Sequence, residues 1–353
     1  MTASAPSSDR PTSPTPDPRR ELGAALRRWA AGGAGSIGVV RVLDRHGFGT
    51  VESGQLLAGT ADGETAGLLY LGALDDAAVP LASAAAGLPQ TRAAHVAESA
   101  ALQAGLACAG GATLLGHPLP AALAEALGAA LEEARPAALL STVDGAAALV
   151  LTGPDLEEAH GTLEDGPPGL DAEAARVARE LLRRGATVTE RRTVGDTEVL
   201  VDLWVPVPSV LVVGSGAIGE ALLAQAALLG WAGRAVTELD EARAAVQAFT
   251  EADVVVLLDH APRFDAMLVD GIRRGRGFLG ALGSRRTQAA RRERLLRAGL
   301  TEEELATVHG PVGLDLGART PAETAVSIVA EVIAARSGRA AQALGASEGK
   351  IGG

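Results

Sequence analysis

Three closely spaced glycines are the first residues whose spacing suggests chemistry. Gly214, Gly216 and Gly219 form G-x-G-x-x-G directly after the apolar run 210–213 and at the start of a helical pattern. In that setting the first glycine permits a tight turn, the second lets a pyrophosphate approach the backbone, and the third allows close helix–strand packing. The pattern predicts a nucleotide or pterin-nucleotide site, and its alternative is a turn that serves the fold alone.

An acidic residue about 20 positions beyond such a loop binds a ribose hydroxyl. Glu238 and Asp240 both meet that spacing, at the end of the next apolar run. Either carboxylate is therefore a candidate for binding the sugar of a nucleotide.

A second polar group follows a predicted strand at 277–282. Ser284, Arg285 and Arg286 stand where a helix is expected to begin, so backbone amides, a hydroxyl and arginine forks can hold a phosphate there. The alternative is a solvated basic helix face. We adopt that interpretation for three arginines further along the same helix: Arg291, Arg292 and Arg294.

A glycine-rich loop before the last helix holds His309, Asp315 and Arg319 among few packing residues. Loops at strand ends are where α/β proteins place function, so these three are candidate site residues. The alternative is that Asp315 and Arg319 pair with each other and only hold the loop.

The single cysteine, Cys108, lies in the glycine-containing segment 105–111. Its thiolate could carry sulfur or bind a metal. The alternative is a small buried apolar residue. One cysteine cannot form an internal disulfide, which agrees with a reducing compartment.

Alternating short apolar runs and amphipathic helices position most of these candidates. This alternation predicts a Rossmann-type α/β domain with a parallel sheet covered on both faces. The expected strands are 210–213, 235–239, 254–258 and 277–282, and the expected helices are 217–229, 241–249, 284–298 and 321–336. Thr301 with Glu304, and Thr320 with Glu323, fit capping boxes at helix starts.

The preceding region predicts a smaller α/β or α+β domain. Helices are expected at 21–31, 93–106, 120–133 and 172–184, and extended segments at 36–43, 49–57, 67–71, 112–119, 137–143, 146–151, 187–194 and 197–205. Asp171 is expected to cap the helix at 172–184, and Pro206 with Pro208 marks the domain boundary. The predicted division is a disordered tail at 1–20, domains at 21–205 and 206–336, and a flexible tail at 337–353.

Composition excludes several classes of function. The net charge of −12 and the aromatic content of 2% argue against a nucleic-acid partner. The N-terminus has no apolar signal core, and the apolar runs are too short to cross a membrane, so we expect a cytoplasmic protein. The six histidines lack metal-ligand spacing, and no G-x-S-x-G hydrolase motif is present.

Ordered motifs in the C-terminal part resemble those of the XdhC/CoxI family of molybdoenzyme accessory proteins. They are D-H-A-P-R-F-D from Asp259, G-A-L-G-S-R-R-T from Gly280, H-G-P from His309 and G-L-D-L-G-A-R-T-P-A-E from Gly313. The resemblance covers about 208–336. Further toward the N-terminus, C-A-G-G at Cys108 stands where the family has Cys-Gly-Gly, and 45–51 occupies the place of a family Ser-Ala-Pro-Arg turn without matching it.

The resemblance implies an accessory factor rather than an enzyme. Such a factor would bind molybdenum cofactor (molybdopterin), assist its sulfuration by a cysteine desulfurase, and deliver it to a molybdenum hydroxylase apoenzyme of the xanthine or carbon monoxide dehydrogenase type. On this basis Ser284, Arg285 and Arg286 would hold the pterin phosphate. His260, His309 and Asp315 would line the rest of the cleft, and Cys108 would take part in the sulfur chemistry.

Two other functions remain open at this point. The glycine loop with Glu238 or Asp240 also suits an NAD(P)-dependent oxidoreductase, and the scaffold also suits a non-catalytic regulatory protein. A homodimer is expected only because dimers are the commonest soluble assemblies.

Overall fold

The computed structural model describes residues 18–49, 51–164 and 169–346, which fold into three five-stranded sheets. The predicted tail at 1–20 therefore lies outside the described residues up to residue 17, and residues 18–20 already belong to a helix. Residues 347–353 of the predicted C-terminal tail also lie outside. No helix in the described ranges is both long and apolar enough to cross a bilayer.

The first sheet is antiparallel. Its strands are β1 Ser36–Gly47, β2 Leu57–Gly59, β3 Thr65–Gly67, β4 Gln90–Val96 and β5 Gly110–Pro120, in the order β3-β2-β1-β5-β4. Its helices are α1 Pro18–Ala31, α2 Asp75–Ala85, α3 Glu98–Ala104 and α4 Ala121–Glu132, and a 3-10 turn spans Tyr70–Gly72.

Three expectations for this region are wrong. The helix predicted at 93–106 is instead β4 followed by the short α3, because β4 pairs along β5 and that pairing overrides the helical preference of its alanines. In the described part of the extended segment predicted at 49–57, only residue 57 belongs to a strand, as the start of β2. The segment predicted at 67–71 ends in the 3-10 turn.

The second sheet is also antiparallel. It comprises β6 Ala137–Thr142, β7 Ala148–Thr152, β8 Glu158–Thr162, β9 Val188–Val194 and β10 Thr197–Trp204, in the order β8-β7-β6-β10-β9, and carries α5 Leu170–Leu182. Asp171 does not cap α5. Gly169 occupies the cap position, and the Asp171 carboxylate accepts a hydrogen bond from the Leu163 amide at 2.7 Å.

A fully buried arginine joins the first two sheets. Arg41 of β1 donates through Nε to Asp202 of β10 at 2.5 Å and through Nη1 to Ser141 at 2.7 Å. Its Nη2 reaches the carbonyls of Leu139 and Leu200 at 3.0 and 2.9 Å. A buried charge is tolerated when it is paired and hydrogen-bonded in this way.

The third sheet is entirely parallel, which confirms the predicted Rossmann-type fold class. Its strands are β11 Ser209–Val213, β12 Ala232–Val236, β13 Val254–Leu257, β14 Phe278–Ala281 and β15 Val308–His309, in the order β12-β11-β13-β14-β15. Its helices are α6 Ala217–Leu228, α7 Leu239–Gln247, α8 Asp265–Arg274, α9 Arg285–Arg297, α10 Glu302–Leu305 and α11 Pro321–Ser337. Separate apolar cores cover its two faces.

Both predicted capping boxes are confirmed. The Thr301 and Thr320 hydroxyls accept from the amides of Glu304 and Glu323, whose carboxylates accept from the threonine amides. The Thr320 box lies at the start of α11, on the carboxyl side of β15, whereas the Thr301 box opens α10, which leads into the start of β15.

The second and third sheets are connected by side chains as well as by the chain. Pro206 and Pro208 lie between β10 and β11, and the domain division at that point stays a prediction. Arg336, near the end of α11, donates through Nε to the Gly185 carbonyl at 2.7 Å. Arg276 pairs with Glu251 at 3.3 Å and with Asp155 beside the second sheet.

Candidate functional site

The carboxyl edge of the third sheet brings most of the predicted site residues to one side of the molecule. β11 and β13 are neighbours, but the chain leaves β11 toward β12 on one side and continues from β13 toward β15 on the other. Ligands of open parallel sheets bind in the crevice where the strand order reverses in this way. The loops after β11 and β13 form that crevice.

The glycine loop has the geometry that its spacing predicts. Gly214 has φ +124°, and a Cβ there would lie 3.1 Å from the Asp259 amide nitrogen. Gly216 has φ +109° and faces open space, so a ligand can approach its backbone. A Cβ on Gly219 would lie 3.1 Å from Val212 Cγ1, which explains how α6 packs closely on β11.

The next loop presents His260 beside the glycine loop. The Leu258 amide donates to the Val213 carbonyl at 2.8 Å, which fixes the two loops together. Asp259 accepts from the Ala261 amide at 2.8 Å and so shapes the turn. His260 is exposed, and no described residue hydrogen-bonds to its ring.

The loop after β14 presents two arginines. Ser284 caps α9 by accepting from the Thr287 amide at 3.2 Å. Arg285 and Arg286 are exposed, and neither side chain has an ion-pair partner in the described part of the chain. The first turn of α9 therefore combines free cations with the positive end of a helix, an arrangement that attracts anions.

Arg291 corrects the interpretation of a solvated basic face. It is 1% exposed and joins three elements: its Nη2 donates to the Asp259 carbonyl at 3.2 Å and its Nη1 to Gln288 at 3.2 Å, while Nε lies 3.4 Å from Asp265. Burial lowers the pKa of Arg291. Because Arg291 holds the His260 loop against α9, it supports the crevice from behind.

The other two arginines of that predicted face also have partners. Arg294 is partly buried and pairs with Asp265 at 2.5 Å, whereas Arg292 is exposed and pairs with Glu302. Asp265 thus receives two arginines of α9. Asp265 ends the D-H-A-P-R-F-D motif, but no role was predicted for it, because nothing in its position 26 residues before Arg291 signals the contact.

Glu238 and Asp240 both follow the end of β12. Glu238 occupies the cap position of α7 and Asp240 lies in its first turn, and both side chains are exposed. Glu238 is closer to the strand end, two residues after Val236. The choice between them for a ribose hydroxyl stays a prediction, and the geometry favours Glu238.

His309 is held on the edge strand. Its Nδ1 lies 2.8 Å from a Glu331 carboxylate oxygen, and its ring stacks on Phe278 with the centroids 4.1 Å apart. The other Glu331 oxygen accepts from the Gly313 amide at 2.5 Å. These contacts make His309 and Glu331 anchors of the loop that follows β15, and Glu331 was not recognised from the sequence. A role for His309 in the cleft stays a prediction.

The loop at 310–320 is fastened at both ends. The Leu314 amide donates to the Ser327 carbonyl at 3.2 Å, and the Arg319 amide donates to Glu323 at 2.7 Å. Asp315 and Arg319 are exposed. No ion pair joins them among the residues described, so the alternative that their pairing holds the loop is wrong.

Cys108 lies in the loop between α3 and β5, the loop that leads into the first sheet. It is exposed, so the alternative of a small buried apolar residue is wrong. The neighbouring Ala109 carbonyl accepts from the Phe48 amide at 2.9 Å, which brings the two N-terminal segments of the family resemblance together. No described hydrogen bond or ion pair links this loop to the crevice.

Side chains suited to metal binding do not cluster. Within the described ranges, no group of three or more His, Cys, Asp or Glu residues is placed to hold a metal ion.

Comparison with known proteins identifies the domain that forms this crevice. Residues 210–332 match the model of the XdhC Rossmann domain. The C-terminal domain is an XdhC Rossmann domain. The resemblance to the XdhC family is thereby confirmed, and the matched residues include every crevice residue named above.

Two curated relatives from Escherichia coli (strain K12) are similar to parts of the chain. The uncharacterized protein YqeB is 27% identical over 172 residues, which are 43% of this chain and 32% of YqeB. The molybdenum cofactor insertion chaperone PaoD is 31% identical over 132 residues, which are 37% of this chain and 41% of PaoD. The chain thus matches less than half the length of either relative.

A solved structure described as a xanthine dehydrogenase from Bacillus halodurans resembles the chain over a greater length. The match covers 91% of this chain and 98% of the chain in that structure, with 18% sequence identity and a TM-score of 0.49. Similarity at this level supports no argument about function.

Proposed function

We propose that this protein is a molybdenum-cofactor chaperone that binds the cofactor at the XdhC Rossmann domain and delivers it to a molybdenum hydroxylase apoenzyme. The observation that carries the proposal is the crevice at the carboxyl edge of the third sheet. At this edge lie an open glycine loop after β11 and, two strands along the sheet after β14, two arginines at a helix start that have no ion-pair partner among the described residues. The similarity to PaoD, a molybdenum cofactor insertion chaperone, supports the choice of ligand.

The described residues fit the phosphate end of such a cofactor. Gly216 leaves room for a phosphate above the start of α6, and a Cβ on that residue would occupy this open space. Arg285 and Arg286 supply charge and fork-shaped donors, which suit phosphate oxygens. The bound cofactor itself would supply the redox chemistry of the receiving enzyme, while this chain's residues bind and orient it.

The finer roles form part of the same proposal. His260, in the loop after β13, and Asp315, in the loop after β15, would contact the pterin portion. Arg319 would add a further positive charge on the loop after β15. Cys108 would take part in sulfuration together with a cysteine desulfurase. Its exposure supports this role, since a partner protein must reach the thiol.

A retention assay tests the proposal. The protein is purified without oxygen from cells that synthesise the cofactor, saturated with a cofactor preparation and freed of excess, after which molybdenum and oxidised-pterin fluorescence are measured. We expect the wild type to retain the cofactor stoichiometrically. The double variant that combines Arg285→Ala and Arg286→Ala should lose about tenfold or more in affinity for the cofactor. Arg292→Ala is the matched control, because that arginine lies on the same helix and is already paired with Glu302.

A second candidate function is NAD(P) binding for an oxidoreductase. Glu238, exposed at the end of β12 beside the glycine loop, favours it, because a carboxylate there binds a ribose hydroxyl. Calorimetry with NAD(H) and NADP(H) separates the two candidates. Tight dinucleotide binding without cofactor retention would replace the chaperone proposal.

A further inference from the structure

Two histidines flank one glycine on the first sheet. His46 of β1 lies directly opposite Gly111 of β5, and His95 of β4 lies directly opposite the same glycine on its other side. Residues directly opposite one another in neighbouring strands project from the same face of a sheet. The three residues therefore form a row across β1, β5 and β4, which we call the histidine row.

The histidine row lies on the face of the first sheet that α2 does not cover. Ala112 belongs to the apolar core that includes residues of α2, and successive residues of a strand point to opposite faces, so Gly111 presents the other face. His46 and His95 are both exposed there. Neither ring has a hydrogen-bond or ion-pair partner in the described part of the chain, so their nitrogens are available to a ligand.

The His46 ring occupies the space that a side chain at position 111 would take. A Cβ on Gly111 would lie 2.4 Å from His46 Cε1 and 2.6 Å from its Nε2. Glycine inside a strand weakens the strand and often marks the close approach of another group. Here the glycine lets the His46 ring lean across β5, toward the strand that carries His95.

The histidine row is narrow enough for one metal ion to join its two rings. Cβ atoms of directly opposite residues are about 4.5–5.5 Å apart, so the His95 Cβ lies within about 8 Å of His46 Nε2. The imidazole of His95 and two metal–nitrogen bonds of about 2.0–2.1 Å can together span such a distance. Imidazole is the commonest metal ligand in proteins and suits Zn²⁺, Cu²⁺ and Ni²⁺.

We propose that His46 and His95 bind one divalent transition-metal ion of the Zn²⁺ or Ni²⁺ class as a bidentate pair. The pair is smaller than the groups of three or more ligands that are absent from the described ranges, so water completes the coordination and the ion exchanges readily. Only the pairing of β1 and β4 with β5 brings the two histidines together, which is why their spacing in the sequence does not signal the site.

A zinc titration of the full-length protein without a histidine tag tests this site. The protein is treated with a chelator, dialysed and titrated with zinc chloride by calorimetry. We expect the wild type to bind one ion at this site, and His46→Ala and His95→Ala each to lower the affinity at least about tenfold, because each variant loses the chelate. His160→Ala is the matched control, because His160 is partly exposed on β8 and its Nε2 lies 3.1 Å from the Thr152 hydroxyl.

Gly111→Ala tests the geometry while it keeps both histidines. Gly111 does not have a positive φ, so its backbone accepts alanine, but the new Cβ must displace the His46 ring. We expect an unfolding temperature equal to that of the wild type or higher, since glycine inside a strand is destabilising relative to alanine. The zinc affinity should fall, and an affinity equal to that of the wild type would contradict the proposed arrangement.

Three further results would overturn the metal site. In the first, the wild type binds no zinc. In the second, both histidine variants bind zinc as tightly as the wild type. In the third, His160→Ala weakens binding as much as the two variants do. Cofactor retention is a separate measurement on a crevice of the third sheet, so the chaperone proposal and the metal site can fail independently.

Discussion

Arginines in two regions of the molecule differ in how many partners they have. Arg41, between the first and second sheets, is completely buried and has carboxylate, hydroxyl and carbonyl partners. Arg285 and Arg286, at the edge of the third sheet, are exposed without a partner in the described ranges. A fully partnered, buried arginine therefore stabilises the fold, whereas an exposed arginine without a partner at the end of a loop is available to a ligand.

The largest effect should follow from breaking the buried pair. Asp202→Ala leaves the Arg41 charge buried without its carboxylate, and we expect a loss of roughly 3–5 kcal/mol in the free energy of unfolding. Urea unfolding monitored by tryptophan fluorescence measures it. Glu241→Ala removes an exposed partner of Arg234 and should cost no more than about 1 kcal/mol. Equal losses in the two variants would contradict the comparison.

The next effect concerns pH. Burial, and then the Arg41 charge, lowers the pKa of His117 to about 3, while its Nδ1 lies 3.1 Å from the Pro118 carbonyl. Folded protein therefore keeps His117 neutral, whereas unfolded protein takes up a proton below its ordinary pKa of 6.5. Stability should be fully present above pH 6.5 and fall toward pH 3, by at most about 1.4 kcal/mol per pH unit from this group.

Unfolding between pH 6.5 and 4.5 measures this contribution from His117. His117→Gln removes the titrating group, so its stability should depend less on pH over that interval. An unchanged slope would show that His117 is protonated in the folded protein.

Two arginines on α9 allow buried and exposed positions to be compared within a single helix. Arg291→Met removes donors from the Asp259 carbonyl and from Gln288, and should cost about 1–3 kcal/mol of stability. Arg285→Met should change stability by less than about 0.5 kcal/mol and act on ligand retention instead. Denaturation and cofactor retention, measured on both variants, test this division. A destabilised Arg285→Met protein would remove the distinction.

The smallest effect concerns the cap of the last helix. Thr320→Ala removes the hydroxyl that accepts from the Glu323 amide and should cost about 1 kcal/mol. Thr320→Ser keeps the hydroxyl and should unfold like the wild type. Thermal unfolding of both variants provides the measurement, and equal losses would point to the methyl group instead of the cap.

The parallel sheet was predictable because its signals are local. Continuous apolar runs such as 254–257, the glycine loop and the two Thr-x-x-Glu boxes each specify structure within a few residues. The strand predicted at 235–239 was displaced to Ala232–Val236, since small residues at an exposed edge strand give little apolar pattern.

The errors arose where distant residues decide the structure. Alanines in β4 favour a helix locally, yet pairing with β5 makes them a strand. Asp171 was expected to cap α5, but the Leu163 amide takes its carboxylate. The sequence of α9 alone predicts that Arg291 lies on the surface, and only the fold brings Asp259 and Asp265 next to it. The crevice loops were therefore predictable, whereas their supports were not.

The tie between Arg336 and the Gly185 carbonyl has a consequence for a cut chain. Arg336 also lies over the Trp231 ring at 5.2 Å, and Arg276 reaches Glu251 and Asp155 nearby. Two of these contacts, Arg336 with Gly185 and Arg276 with Asp155, join segments on opposite sides of Pro206 and Pro208. A protease that nicks the chain between those prolines should therefore yield two fragments that still elute together in gel filtration.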